Sequence, residues 1–239
     1  ELHDARYRLA ADYFNLSHDW GKEVVLQYKY DIYHPSVGVL DIERGKLAGI
    51  RRPPWQTDTS VGYRGWCYVQ NPEYKEAGLL VDDLVDIVSK NGNMLLNIPI
   101  RADGTLDETA TGILEDLGKW FRVNGEGIYA TRPWYMYGEG KTEMPHKTIE
   151  SPFTFKDLRY TTKGEFLYAF VLDWPGKRTV EMQFLAPGNH RIGEIKSVEL
   201  LGHDEPIQWE HHPDGLRDVF PQKKPCDFAY CLKIHLPRK

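Results

Sequence analysis

Apolar positions in the first part of the chain follow helical spacing in some stretches and form short continuous runs in others. Over residues 4–18, Leu9, Ala10, Tyr13, Phe14 and Leu16 or Ser17 recur on one stripe. That spacing predicts a helix opened by Asp4 and stopped at Trp20-Gly21. Two short apolar runs follow, residues 24–29 and 37–42, with a loop broken at Pro35 between them. Short β-branched runs of this kind predict buried parallel strands. Pro53-Pro54 predicts a long connection that ends in the segment WQTDTS. Ala77, Leu80, Val81, Leu84 and Val88 keep three-four spacing and predict a helix over about 74–90, with Asn91-Gly92 as its stop. Residues 93–100 predict another buried strand. The loop ADGT then leads to a second helix, with Thr105 and Glu108 at capping-box spacing and Asn124-Gly125 at its end. Strands alternating with helices in this order belong to a β/α barrel or a doubly wound sheet.

After Trp134 the pattern changes. Residues 135–152 are rich in Gly, Pro, Glu and Lys and predict a connecting segment. From residue 153 only strand-like runs remain, at 158–162, 166–172, 179–184, 196–201, 207–210 and 228–236. Turn signals separate them, among them Lys163-Gly164, Pro175-Gly176 and Pro213-Asp214-Gly215. Regularly spaced short strands predict an antiparallel β-sandwich. The expected organisation is a partial β/α barrel over 1–134, a connecting segment over 135–152 and a β-sandwich over 153–239. Only about three or four strands are expected before Trp134, where a closed barrel needs eight. An open sheet edge and an uncovered apolar face would follow. The barrel part is therefore expected to need its other half, as a second chain or as residues once covalently attached.

Composition narrows the function classes. The 239 residues are 41% hydrophobic and 13% aromatic, enough for a sizeable core. A net charge of −5 argues against a nucleic-acid backbone as partner, which calls for a basic face. No apolar run approaches the length that spans a bilayer, so no membrane partner is expected. The chain opens Glu-Leu-His, without Met or an apolar leader, and reads as a fragment or as a product of processing. Cys226 and Cys231 lie five residues apart on a predicted strand, facing opposite ways, so no disulfide between them is expected. His211-His212 diverge on a strand and no C-x-x-C pattern occurs, so no metal site is expected. The GEGK run at 138–141 lacks the spacing of a phosphate loop.

Several segments carry a more specific signal when taken in order: VGVLDIERG, PPWQTDTSVGYRGWCY, LVDDLVDIVSKNGNMLLNIPI, ADGTLDE and VNGEGIYATRPW. They resemble the later half of the catalytic domain of glycoside hydrolase family 29, the α-L-fucosidases. The segment FTFKDLRYTTKGEFLYAFVLDWPG extends the resemblance into the sandwich. It implies the C-terminal half of a (β/α)8-like barrel followed by an antiparallel β-sandwich. It also implies a retaining exo-α-L-fucosidase that releases terminal L-fucose from fucosylated glycans or oligosaccharides by double displacement. No cofactor would be needed, and the family implies a periplasmic or secreted location. The alternative is a non-catalytic carbohydrate-binding or scaffold relative without the nucleophile. A glycosidase of another specificity on the same barrel is a further rival.

Two carboxyl groups about 5–5.5 Å apart perform such a reaction, one attacking the anomeric carbon and one protonating the leaving oxygen. Glu43 follows a predicted strand, at the end where barrels place their chemistry. On position alone it is a solvated turn carboxylate beside Arg44 and Gly45. The resemblance makes it the general acid/base, which must hold a proton at working pH, as burial or the nucleophile's charge would favour. The nucleophilic Asp would precede residue 1. Asp4 opens a helix and does not match it, while Asp41 and Asp58 are set aside on the resemblance, although Asp41 would face the same way as Glu43. Lys29 closes the strand before Glu43. It is a snorkelling surface lysine on position alone, and a sugar contact by resemblance, where relatives more often carry Arg. Trp55 and Trp66 flank TDTSVG, as core lids or as walls on which a sugar's apolar face and the fucose methyl rest. Gln56 stands where some relatives carry Glu. Trp134 is expected to pack the end of the barrel against the sandwich.

Overall fold

The computed structural model describes residues 2–140 and 153–237. Helix α1 (Leu2–Asp19) leads into an all-parallel sheet of β1 (Gln27–Tyr28), β2 (Val39–Glu43), β3 (Trp55–Ser60) and β4 (Gly92–Asn97), in that spatial order. Helix α2 (Ala77–Ser89) crosses from β3 to β4, and α3 (Glu108–Asn124) follows β4. Side-by-side parallel strands require such crossovers.

Three details differ from the sequence expectation. WQTDTS is no loop end: it is β3, hydrogen-bonded between β2 and β4. Its alternation hides behind polar residues, because Thr57 and Thr59 share the buried face with Trp55 while Gln56 and Asp58 take the other. The strand expected over 24–29 shrinks to two residues, since only Gln27 and Tyr28 find partners, opposite Val39 and Leu40. Helix α3 is capped by Asp107, whose carboxylate accepts from the Ala110 N–H at 2.8 Å. Thr105 bonds Asp103 instead. Helix α2 ends as its pattern foretells, with Leu80, Val81 and Val85 fully buried and Asn91 in the left-handed region at φ 70°.

The rest of the chain is an antiparallel β-sandwich. Its larger sheet runs β5 (Arg132–Glu139), β6 (Leu158–Lys163), β7 (Phe166–Val171), β12 (Tyr230–His235) and β9 (Ser197–Leu200), in the order β5-β6-β7-β12-β9. The smaller is β10 (Gln208–His212), β11 (Gly215–Val219) and β8 (Thr179–Met182), in the order β10-β11-β8. Residues 135–139, expected in a connecting segment, belong to β5; residues 141–152 lie outside the described residues. Strand β11 was hidden directly behind the Pro213-Asp214 turn. The run expected through residue 184 stops at Met182, where a 3-10 turn, Gln183–Leu185, takes over.

The five-stranded sheet is packed on both faces. Leu167, Ala169 and Val171 meet the smaller sheet's Val180, Met182 and Leu216. Tyr168, Phe170 and Cys231 meet Leu80, Val81 and Val85 of α2 and Leu117 and Trp120 of α3. Trp120 also donates its indole N–H to the carbonyls of Phe228 and Ala229 at 3.0 and 2.9 Å. Trp134 differs from expectation: it packs into the core between the two sandwich sheets, edge-on to Tyr160 at 5.2 Å.

A buried ionic cluster joins α2 to this sheet. Asp86, fully buried, accepts from Lys90 Nζ at 2.8 Å and Arg159 Nε at 2.5 Å. Burial works against the Asp86 charge, but Arg159 and Lys90 outweigh it and hold the carboxyl below its ordinary value. At the other extreme, β1 and β4 have no outer strand partner among the described residues, and Leu95 and Ile100 are more than half exposed. No described helix is long and apolar enough to cross a membrane.

Candidate active site

Alternation and register together assemble the site. In parallel strands, successive side chains take opposite faces and paired residues share one. Asp41 pairs with Gln56 and Glu43 with Asp58, so all four carry their side chains on the same face of the sheet. Gln27, on β1, joins them by donating from Nε2 to Gln56 Oε1 at 2.8 Å, and Gln56 Nε2 donates to Asp41 Oδ1 at 3.1 Å. This polar face is the opposite of the one Trp55 uses.

Lys29 stands at the centre. Its ammonium donates to Glu43 Oε2 at 3.2 Å and to both oxygens of Asp58 at 2.9 and 3.0 Å, and it lies 3.3 Å from Asp41 Oδ2. Partial burial works against its charge, yet the bonds from Asp58, Glu43 and Asp41 prevail and raise its pKa above the ordinary lysine value. One cation thus holds three carboxylates at the C-terminal ends of β2 and β3. Glu43 is the most open of them, with its side chain 51% exposed against 21% for Asp58 and 9% for Asp41. Lys29 is no free surface lysine: its ammonium is engaged by three protein carboxylates.

Glu43 is the last residue of β2, and Arg44 after it has φ 49°. That left-handed turn costs a side-chain-bearing residue about 1–3 kcal/mol. It redirects the chain, and the Arg44 N–H donates to the Asp58 carbonyl at 2.8 Å. The Arg44 guanidinium donates to the carbonyls of Gly62, at 3.0 Å, Tyr63, at 3.2 Å, and Gly65. Its central carbon lies 4.4 Å from the Trp66 ring centroid, in cation-π contact. From β4, Asn97 Nδ2 donates to the Trp66 carbonyl at 2.8 Å and to Ser60 Oγ at 3.1 Å. Trp66 is half-buried at this end of the sheet.

Trp55 does not join the site. It opens β3 at the far, N-terminal end, is fully buried, and donates its indole N–H to the Lys90 carbonyl at 2.9 Å. Gly92 lies so close against its ring that a Cβ there would sit 2.6 Å away. Trp55 is therefore a core residue. A cavity of about 590 Å³ near that end is lined by Gly92, Met94, Phe121 and Tyr129, among others, and holds no carboxylate.

The sequence points to Glu43, Lys29 and Trp66. It also points to Trp55, which lies at the other end; it leaves out Gln27, names Gln56 and Arg44 without giving them a role, and names Asp41 and Asp58 only to set them aside. Their shared signal is a polar residue at every second position of three neighbouring strands.

Comparison with known proteins bears directly on this arrangement. The family model for α-L-fucosidase matches residues 10–126, and that for the α-L-fucosidase C-terminal domain matches residues 151–235. The chain belongs to the α-L-fucosidase family. The tissue α-L-fucosidase of Bos taurus is 29% identical over 189 residues, covering 75% of this chain and 36% of its own length. The plasma α-L-fucosidase of Rattus norvegicus is 31% identical over 190 residues, covering 75% and 38%. Among solved structures, α-L-fucosidase isoenzyme 1 from Paenibacillus thiaminolyticus matches with a TM-score of 0.65 at 27% identity, over 83% of this chain and 45% of its own. The chain thus spans little more than a third of these curated fucosidases and under half of the solved one. The segments that first resembled the family lie within the matched residues, except VNGEGIYATRPW, which runs past residue 126.

Proposed function

We propose that this chain forms the acid/base-bearing part of a retaining exo-α-L-fucosidase that releases terminal α-L-fucose from glycans. The observation that carries the proposal is the position of Glu43. It is a half-exposed carboxylate at the C-terminal end of a parallel strand, on the polar sheet face, in a chain of this family. The parallel layer is read as the later half of a (β/α)8-like barrel. Its unpaired β1 and β4 edges and the exposed Leu95 are what the remaining strands of such a barrel would cover.

In the first step, an aspartate from those remaining strands attacks the anomeric carbon while Glu43 gives its proton to the departing glycosidic oxygen. In the second, the Glu43 carboxylate takes a proton from water as that water bonds to the anomeric carbon, breaking the bond to the aspartate, which leaves as its carboxylate and frees fucose with net retention. Asp58, whose two oxygens accept from Lys29, is set aside as the nucleophile on the family resemblance, which puts that aspartate on an earlier strand. Lys29 is read as the group that orients Glu43 and not as a direct sugar ligand. Trp66 supplies the apolar wall for the sugar.

Glu43→Gln, in the full-length protein that carries this chain, tests the assignment. Hydrolysis of fucosides with poor leaving groups should fall by about 10²–10⁴. Aryl fucosides with good leaving groups need less protonation and should suffer less in their first step. Unchanged turnover of the poor substrates would remove Glu43 from the role.

A further inference from the structure

Residues 63–70 are mostly exposed, with only Trp66 and Tyr68 half-buried. A loop with so little buried apolar surface is not held in shape by packing. Its start is tied by the Tyr63 N–H to the Glu73 carbonyl at 3.0 Å, and polar side chains from neighbouring strand ends hold the rest of its backbone. Arg44 reaches three carbonyls at and just before its start, those of Gly62, Tyr63 and Gly65, and lies against the Trp66 ring. Asn97 holds the Trp66 carbonyl from the other side. Arg44 follows Glu43 directly in the chain, and its own N–H fixes it to β3 at the Asp58 carbonyl.

We infer that Arg44 is a positioning residue, whose guanidinium shapes the loop so that Trp66 stands as a fixed wall at the open end of the sheet. The inference rests on the reading of Glu43 and Trp66 as parts of the fucoside site. A guanidinium suits the task because its planar fork presents several N–H groups to separate carbonyls while its face lies on an aromatic ring. A lysine in its place has one compact head that cannot serve three carbonyls and the ring together. The left-handed backbone at Arg44 is consistent with a position selected for where it sends the side chain. Through this dipeptide, the placement of the proposed proton donor and of the sugar wall depend on the same turn.

The test compares Arg44→Ala, Arg44→Lys, Trp66→Ala and the Arg44→Ala/Trp66→Ala double variant in the full-length protein. Two readouts are needed. The first is KM and kcat on an aryl α-L-fucoside. The second is acrylamide quenching of Trp66 emission without substrate, isolated as the difference from a Trp66→Phe control. Arg44→Ala should raise KM by about tenfold or more while kcat changes less, the mark of lost binding and not of lost chemistry. Arg44→Lys should recover little of that loss, and both variants should make Trp66 more quenchable. In the Trp66→Ala background, Arg44→Ala should add almost nothing, because the two residues act as one unit. Additive effects on KM, or Trp66 quenching unchanged in both Arg44 variants, would overturn the inference. Quenching is read without turnover, so a failure of the fucosidase assignment leaves it legible. Increased quenching in a protein without fucoside hydrolysis would support the loop clamp and sink the proposed function instead. If Arg44→Ala does not fold, Arg44→Lys carries the same comparison.

Discussion

Two ionic clusters in this protein invert one another. At the open end of the parallel sheet, one cation, Lys29, is shared by three carboxylates, and the cluster is partly in water. At the seam between α2 and the five-stranded sheet, one carboxylate, Asp86, is shared by two cations, and all three are buried. The first arrangement leaves an excess of acceptors facing outward, which suits a site that handles protons. The second leaves no free acceptor and fixes a helix to a sheet. The difference teaches that burial and stoichiometry, more than the presence of ion pairs, separate the proposed chemical site from a structural joint.

The comparison breaks most visibly at the seam. Asp86→Ala would strand Lys90 and Arg159 without their anion, and such a loss costs about 3–5 kcal/mol. The expected result is a large drop in thermal midpoint or failure to fold, measured by calorimetry; a midpoint near wild type would mean that the seam is not under ionic control. pH sharpens the same contrast. The folded-state pKa of Asp86 is depressed, so its contribution is complete above the ordinary aspartate value and disappears as pH falls through the folded one. Lys29 is raised, so its contribution is complete below the ordinary lysine value and disappears only on the strongly alkaline side. Acid should therefore loosen the seam while the Lys29 ammonium stays charged.

A third buried acid offers an intermediate case. Asp218, on β11, points into the core between the sandwich sheets with neither carboxylate oxygen hydrogen-bonded among the described residues. Burial pushes its pKa up to about 8. The folded state then keeps a proton that the unfolded chain has already lost, so stability falls as pH rises from about 4 toward 8. Asp218→Asn mimics the neutral acid and should flatten that slope, with a gain of about 1–3 kcal/mol at the alkaline end. Denaturant midpoints at pH 5 and pH 8 measure it; an unchanged slope would count against a protonated Asp218. The smallest effect on stability is expected at the open cluster. Lys29→Met should cost less than about 1 kcal/mol in thermal stability, because its ion pairs are solvent-screened. It should nevertheless alter the pH profile of fucoside hydrolysis, and a flat response there would detach Lys29 from the proposed chemistry.

Much of this fold is legible in the chain's pattern, and the gaps have physical causes. Helix α2 announces itself through Leu80, Val81 and Leu84, and the sandwich strands through turns such as Lys163-Gly164. Strand β3 escapes because its buried face is Trp, Thr, Thr, which no hydropathy count marks as core. Strand β11 escapes because Asp218 occupies an inward position where a strand pattern expects an apolar residue. The site follows the same division. Lys29 closes one predicted strand and Glu43 follows another, so both can be picked out from their positions. Their neighbours Gln27, Gln56 and Asp58 come together through register between residues 12 or more apart, which local sequence does not encode. Trp55 is misjudged for the same reason: whether it stands at the chemical end of the sheet or the far end depends on pairing with Gly92.

The middle of the five-stranded sheet is covered on both faces, and that governs how this protein can be cut or recombined. Strand β7 presents Leu167, Ala169 and Val171 to one core and Tyr168 and Phe170 to the other. A sandwich moved onto a foreign partner would carry a bare aromatic wall with it, and helices α2 and α3 left behind would lose the surface they rest on. The C-terminal module is thus a shared wall of the building and not an extension, so chimeras that swap it should keep α2 and α3 with it.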